Sequence, residues 1–142
     1  MTDHVVYVDA KALEMEALVS GEKSMIIRGA TGRKLPYGRV DVGDGLYFIR
    51  NNGEGLIRAW GRVTSVFNSE ELSEIESFAL VEDNMEELAL SDAQKKKWGG
   101  KRYLVLIGVG KVKEVKPFEI DKSEFGNMDD WLIVGDIERV KV

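Results

Sequence analysis

The stretch at residues 56–67 most constrains the fold, because polar and apolar side chains alternate along it. Small or apolar residues at 57, 59, 61 and 63 alternate with Arg58, Trp60 and Arg62. A period of two is typical of a β-strand with one buried face and one outer face. The segment Gly45–Arg50 before it is also β-rich, and the turn-forming residues between them predict an antiparallel hairpin.

The other β-rich segments are short, apart from one that is strongly apolar. We interpret Tyr103–Val115 as a single long, bent central strand broken by glycines. Shorter strands are predicted at residues 4–8, 24–27, 118–120, 131–134 and 137–142. A helix is predicted over Ala10–Ser20, followed by a left-handed C-cap at Gly21. Further short helices are predicted between residues 69 and 98, where the spacings at 68–71 and 91–94 are typical of capping boxes.

Six or seven short strands with a few short helices predict an α+β fold built around a small, partly closed β-barrel. The 142 residues, of which 44% are hydrophobic, suit one domain over residues 1–142. With no cysteine and a single histidine, His4, the sequence predicts no disulfide, no metal site and no cofactor. No apolar run approaches the roughly 20 residues that span a bilayer. We therefore expect no membrane partner and a soluble, cytoplasmic protein, with a monomer favoured.

Charge is distributed unevenly along the chain. The net charge of −5 argues against non-specific coating of nucleic acid, because phosphate neutralisation needs an excess of Lys and Arg. Residues 21–62, however, contain eight basic and four acidic residues, whereas residues 70–92 contain nine acidic residues and no basic one. The basic segment fits either a solvated surface or a groove for an anionic partner, and the acidic one suits the exposed faces of helices.

A short motif within the basic segment resembles the ASCH domain, a family of the PUA-like superfamily that also includes the EVE and YTH domains. The family signature is Gly-x-Lys-x-x-Glu-x-Arg, followed by Gly-Asp before the next strand. The sequence matches it at Gly21, Lys23, Arg28 and the pair Gly43-Asp44, and departs from it at Ile26, which replaces the glutamate. The order of predicted elements resembles the family over nearly the whole chain.

The resemblance implies a β-barrel with a cleft lined by Lys23 and Arg28, which binds RNA or a ligand that contains a nucleobase. Some ASCH proteins are amidohydrolases that act on N4-acylated cytidines, and another is a ribonuclease. The amidohydrolases use the motif lysine, a threonine three residues later and a glutamate from a helical segment. In this sequence Lys23 fits the first role, Ile26 cannot supply the hydroxyl, and Glu82 is the best-placed acidic partner, with Asp83 second.

Two hypotheses about function follow. The first is a binding module for RNA or a modified nucleobase, in which an aromatic ring between two arginines accepts bases and phosphates. Its predicted ligand-binding residues are Lys23, Ser24, Arg28, Arg33, Lys34, Arg39, Arg58, Trp60 and Arg62. The second is a small hydrolase that uses Lys23 and Glu82 on an acylated nucleoside or a phosphodiester. Two of the predicted ligand-binding residues could have a structural role instead: Arg28 can pair with a nearby aspartate, and Trp60 can lie partly in the core. We interpret the other two tryptophans, Trp98 and Trp131, as packing residues.

Overall fold

The computed structural model describes residues 1–126 and 129–142, and in them the chain forms seven strands and several short helices. Strands β1 to β7 span Asp3–Val8, Met25–Ala30, Gly45–Arg50, Leu56–Asn68, Tyr103–Val109, Lys113–Glu119 and Trp131–Gly135. Helices α1 to α4 span Glu14–Ser20, Glu74–Asp83, Met85–Leu88 and Asp92–Trp98, and a 3-10 helix covers Ile137–Arg139.

The strands form one curled, mixed sheet in the order β2-β5-β4-β3-β1-β7, with β6 paired to β4 beside this path. Every pair is antiparallel except β1 with β3. The curl brings the two ends of the sheet close together, so that Arg28 of β2 reaches the main chain of Tyr7 in β1. The predicted α+β class and the partly closed barrel are confirmed.

Strand β4 is central because three strands pair along it. It forms the predicted antiparallel hairpin with β3, and it also pairs with β6 along its first half and with β5 along its second. Residues 57, 59, 61 and 63 are buried, whereas Arg58, Trp60 and Arg62 lie on the other face. A Cβ atom at Gly61 would lie 2.7 Å from Val109 Cγ2, which explains why a residue without a side chain stands there.

The predicted single strand over Tyr103–Val115 is interrupted. Strands β5 and β6 run in the same direction along β4, but residues 110–112 between them leave the ladder. The register of β4 also shifts here, between Val63 and Ser65, and the Gly110 N–H donates to the Arg62 carbonyl at 2.9 Å. A bulge in the central strand therefore bends its partner, and the bend divides the partner into two strands.

Helix α1 begins four residues later than predicted. Residues 10–13 form a turn closed by a hydrogen bond from the Ala12 N–H to Asp9 Oδ1, and Leu13 has a left-handed backbone with φ of 57°. Leu13, which the pattern placed on the apolar side, is 59% exposed in this turn, and the buried side of the helix is formed by Glu14, Met15 and Leu18. Glu14, which the helical pattern places away from the apolar side, is buried with 6% of its surface exposed. The predicted left-handed C-cap at Gly21 is confirmed, with φ of 84°.

Capping boxes begin two of the other helices. Helix α2 begins after Ser73, with Glu76 as the partner in its box, rather than after Asn68 as predicted. Asn68 instead ends β4, where its side chain accepts a hydrogen bond from the main chain of the loop before β3. The predicted box formed by Ser91 and Gln94 at the start of α4 is confirmed.

The apolar core lies inside the curled sheet, and a second layer covers the outside of β2 and β5. Side chains that share the inner core include Val6, Ile26, Phe48, Ile107 and Trp131. Outside the sheet, helices α2 and α3 pack through Val81 and Leu88 against Ile27, Leu104 and Leu106. Each such buried aliphatic side chain contributes about 1.5–3 kcal/mol to the hydrophobic free energy of folding. The two layers fix the position of β2, which carries part of the motif.

The end of the chain differs from its prediction as a strand. Asp136 caps the 3-10 helix Ile137–Arg139, and a single bridge then joins Lys141 to Ile120. In the part of the chain that the structure describes, no helix is both long and apolar enough to cross a membrane.

Candidate functional site

The Gly43-Asp44 part of the motif organises the barrel rather than a cleft. Asp44 is 3% exposed, and its carboxylate accepts hydrogen bonds from the main-chain N–H groups of Thr2 and Asp41, at 3.0 Å each. His4 Nε2 lies 2.8 Å from the same carboxylate, while the Trp131 indole N–H donates to His4 Nδ1 at 3.0 Å. Because Nδ1 accepts, the neutral ring carries its proton on Nε2 and donates it to Asp44. Burial opposes ionisation of Asp44, but these hydrogen bonds hold its pKa below the ordinary value.

The motif lysine is an internal group. Lys23 is 2% exposed, and its Nζ donates to the Leu88 carbonyl at 2.5 Å and lies 3.4 Å from Glu14 Oε2. The other oxygen of Glu14 accepts a hydrogen bond from the Asp9 N–H at 2.7 Å. Burial lowers the pKa of Lys23 below its ordinary value, the Glu14 carboxylate opposes this shift, and the charge of Arg28 adds to it.

Arg28 is also buried, at 6% exposure, and it joins β2 to the opposite end of the sheet. Its guanidinium donates to the Ile27 and Tyr7 carbonyls at 2.9 and 2.6 Å, and its Nε lies 3.1 Å from Asp130 Oδ2. The guanidinium carbon also lies 5.5 Å from the ring centre of Trp98 and 5.6 Å from that of Trp131. Stacking of this kind favours arginine over lysine at this position.

A small cavity opens beside Arg28 and is the candidate site. It has a volume of about 60 Å³, and strands β1 and β2, helices α1 and α4 and the connecting loops supply its walls. Its lining residues are mostly polar: Tyr7, Asp9, Glu14, Arg28, Asn51, Gln94, Lys97, Trp98 and Asp130. The Lys97 ammonium lies 4.8 Å from the centre of the Trp98 ring at the rim. Hydrogen-bond donors and acceptors therefore lie around the Trp98 ring.

Three of the predicted site residues in the loop lie outside this cavity. Arg33, Lys34 and Arg39 are exposed, and the Arg33 guanidinium covers the rings of Tyr37 and Tyr103 at 5.7 and 5.5 Å. The loop is tied to the far end of β4 through main-chain and side-chain hydrogen bonds. These cations form a separate exposed surface.

The predicted Arg58-Trp60-Arg62 face exists, but it is also separate. Arg58 pairs with Glu54, and the Arg62 guanidinium covers the Trp60 ring at 5.1 Å while donating to the main chain at residue 43. Trp60 packs near Tyr47, with ring centres 6.4 Å apart. The three side chains lie on the outer face of the sheet, and none of them lines the cavity beside Arg28.

The remaining predicted residues have other surroundings. Ser24 is exposed and lines a second cavity, of about 410 Å³, together with Lys23 and Lys111, and Arg28 does not line that cavity. Glu82, predicted as the acidic partner of Lys23, has a largely exposed side chain that pairs with Lys95 at 3.2 Å. Glu14 occupies the place beside Lys23 instead. The pattern missed the burial of Glu14 because it assigned Leu13 to the apolar side of the helix, whereas Leu13 lies in the preceding turn and is exposed.

Position 26 faces the barrel interior. Ile26 is fully buried and packs in the inner core, so the place of the threonine in the amidohydrolase pattern holds an apolar side chain.

Sequence reasoning also missed the contribution of α4 to the cavity. Gln94, Lys97 and Trp98 are spaced by three and four positions, a spacing that puts side chains on one helix face. The capping box at Ser91 fixed the start of this helix in the sequence. Together, the capping box and this spacing could have predicted that Gln94, Lys97 and Trp98 lie on one face of the helix.

Comparison with solved structures identifies the fold. A crystal structure of ASCH from Zymomonas mobilis matches 94% of this chain and 87% of its own, with a TM-score of 0.69 and 13% identity. Structures of two point mutants of the same protein match 98% and 97% of this chain and 94% and 92% of theirs, each with a TM-score of 0.72 and 13% identity. No family model and no curated protein matched the sequence.

The chain has the α+β barrel of the PUA-like class, and within that class it has the fold of an ASCH domain. The resemblance that the motif indicated is confirmed at the level of the fold.

Proposed function

We propose that the cavity beside Arg28 binds a nucleobase, either of a single nucleoside or of an unpaired nucleotide in RNA. One observation carries the proposal: the Trp98 ring, two carboxamides and several charged groups converge on one cavity. Recognition of an unpaired base needs these two elements together, a flat surface for stacking and polar groups for the base edge. The exposed Lys97 side chain that now covers the Trp98 ring is free to give way to a base.

The size of the cavity limits how a ligand can enter. At about 60 Å³ it holds the volume of roughly two water molecules in the liquid. A base edge can enter such a space, whereas the sugar must stay at the surface. This mode suits a nucleoside or an RNA strand that inserts one base.

Lys23 and Arg28 support this site from within the protein. Both are buried and bonded to main-chain carbonyls, so their charges position the cavity wall instead of contacting a phosphate chain directly. If RNA is the ligand, its phosphates would contact exposed cations, and affinity would fall as salt rises. A single nucleoside would show little salt dependence, and this difference separates the two forms of the proposal. A cytoplasmic location and a monomeric state stay predictions from the sequence.

Trp98→Ala tests the proposal, with Trp60→Ala as its matched control. Binding of the four common nucleosides and of a short single-stranded RNA is measured by calorimetry for both variants and for the parent protein. Loss of a stacking ring at the site should weaken binding about 5- to 100-fold. The control removes a tryptophan from the outer face, so its affinity should match the parent.

Two results would contradict the proposal. One is a parent protein that binds none of these ligands. The other is a loss in Trp60→Ala with Trp98→Ala unchanged, which would move the binding surface to the outer face of β4.

A hydrolase is a second candidate, favoured by the pair of Lys23 and Glu14. A buried lysine with a lowered pKa beside a carboxylate can act in proton transfer. Product formation from N4-acetylcytidine and from RNA is compared between the parent and Glu14→Gln, at a temperature where both are folded. Turnover that disappears in the variant supports the hydrolase. No product above the blank, or equal product in both proteins, rejects it.

A further inference from the structure

Helix α4 presents one turn of side chains to the cavity, and the orientation of one of them is fixed. Gln94 is 6% exposed, and its Oε1 accepts the Ser91 main-chain N–H at 3.0 Å in the capping box. A main-chain N–H can only donate, so the atom that faces it must be the amide oxygen. The amide nitrogen of Gln94 therefore points away from the helix end.

Within residues 1–126 and 129–142 the Gln94 amide nitrogen is a donor with no hydrogen-bond acceptor, yet it is not one of the polar atoms sealed from solvent. Because Gln94 lines the cavity beside Arg28, the nitrogen can reach the cavity space. A buried carboxamide whose donor has no protein partner is the kind of group that a ligand satisfies.

Asn51, which is exposed, is the second carboxamide in the cavity lining. Its Oδ1 accepts the Ala10 main-chain N–H at 3.0 Å, which leaves its Nδ2 as a second donor at the same cavity. In both carboxamides the oxygen accepts a hydrogen bond from a main-chain N–H, and the NH₂ group can donate to a ligand. The matching ligand atoms are hydrogen-bond acceptors.

Charge indicates that these acceptors are neutral. Three carboxylates line the cavity, those of Asp9, Glu14 and Asp130, and only two cations line it with them, Arg28 and Lys97. The lining therefore offers no excess positive charge for a phosphate or a carboxylate. Carbonyl oxygens and unprotonated ring nitrogens of a base are neutral acceptors and fit the two NH₂ groups.

We infer that Gln94 selects the ligand of this cavity by donating a hydrogen bond to a neutral acceptor on the edge of a base, with Asn51 as a second donor. The inference rests on the proposed nucleobase function and specifies which edge is recognised. It assigns a ligand-selecting role to a residue that the sequence motif does not contain.

Gln94→Glu tests this role with little disturbance of the helix. Glutamate also completes a capping box, so one carboxylate oxygen keeps the bond to the Ser91 N–H while the other replaces the cavity donor with an acceptor. Affinities for cytidine, uridine, adenosine and guanosine are measured by calorimetry. We expect the best-binding nucleoside to lose about tenfold or more in affinity, because two acceptors then face each other. Because nucleosides are uncharged, the loss should persist at high salt.

Two controls accompany the variant. Glu76→Gln makes the reverse exchange in the capping box of α2, away from the cavity, and should leave affinity unchanged. Asn51→Asp keeps the bond to Ala10 and removes the other donor, so it provides the same test should Gln94→Glu fail to fold. Ribose 5-phosphate serves as a probe for recognition of phosphate without a base.

The affinities of the parent and the variants distinguish four outcomes. Weaker nucleoside binding in both donor-removing variants, with Glu76→Gln unchanged, supports the inference. Binding equal to that of the parent in both variants overturns it and leaves the nucleobase proposal intact. If ribose 5-phosphate binds with the same affinity as the nucleosides, the cavity does not select a neutral acceptor, and the inference is overturned. A parent protein that binds no nucleoside overturns the proposed function and the inference together.

Discussion

Removing the carboxylate beside Lys23 should destabilise the protein strongly, and more at neutral than at alkaline pH. Glu14 and Lys23 are almost wholly buried, with 3.4 Å between Oε2 and Nζ. At this distance two unit charges attract by about 5 kcal/mol when the effective dielectric constant is about 20. Desolvation offsets part of this attraction, but loss of one partner leaves the other charge buried alone. Glu14→Gln should therefore lower the free energy of unfolding by about 3–5 kcal/mol near neutral pH.

The pH dependence follows from the direction of the Lys23 pKa shift. Burial already lowers the folded-state pKa of Lys23, and loss of Glu14 removes the interactions that oppose this shift. Below the folded-state pKa, Lys23 is protonated in both the folded and the unfolded state, so the folded state bears the whole free-energy cost of burying the Lys23 charge. Above it, the folded state releases the proton while the unfolded state keeps it up to its own pKa, so stability rises with pH. In Glu14→Gln this rise begins at a lower pH than in the parent. The difference in the free energy of unfolding between the two proteins should therefore shrink toward about pH 9.

Urea unfolding of both proteins across this pH range measures the effect. Glu16→Gln, on the same helix, is the matched control, because the Glu16 side chain is half exposed and pairs with Arg50 at 3.4 Å. An exposed pair of this kind is worth about 0–1 kcal/mol. A loss of stability in Glu14→Gln no larger than that in Glu16→Gln, or a loss that stays constant as the pH rises, would contradict this prediction.

Two further predictions concern the barrel interior. Asp44→Asn should cost about 1–3 kcal/mol, because an NH₂ group then faces main-chain donors. The folded pKa of Asp44 is lowered, so its stabilisation is present above about pH 4 and is lost as pH falls through the folded pKa; acid unfolding curves should therefore be flatter for the variant, and identical curves would contradict this. Ile26→Thr should cost about 1–3 kcal/mol in urea unfolding, since it buries a hydroxyl in an apolar core. It should not create activity on N4-acetylcytidine, and any turnover would show that position 26 reaches a substrate.

Local periodicity and end signals predicted most of the strands. The alternation around Trp60 gave the buried and outer faces of β4, and the capping box at Ser91 gave the start of α4. Both signals are local, since they depend on neighbours within a few residues. The sequence pattern could not show that β4 would bulge after Val63 and thereby divide its partner strand, because a bulge depends on pairing across the sheet.

The candidate site was less predictable than the fold, for a physical reason. Lys23 and Arg28 were expected to face a ligand, and their neighbours turned out to be Glu14, main-chain carbonyls and two tryptophan rings. Burial of a charge depends on partners far away in sequence: Lys23 bonds to the Leu88 carbonyl, 65 residues later in the chain. Gln94 likewise reaches the cavity lining because α4 packs beside β2, which is distant in sequence.

The residues that line the cavity come from both the sheet and the helices. Arg28 belongs to the sheet and joins its ends, whereas Gln94, Lys97 and Trp98 belong to one short helix. Exchange of Lys97, which is exposed and takes no part in the capping box, would alter the charge at the rim without disturbing a strand or the start of the helix. The molecule is thus suited to diversification: a library at this position can be screened for new ligands on an unchanged scaffold, with Trp98 kept because it stacks on Arg28 and Gln94 kept because it caps the helix.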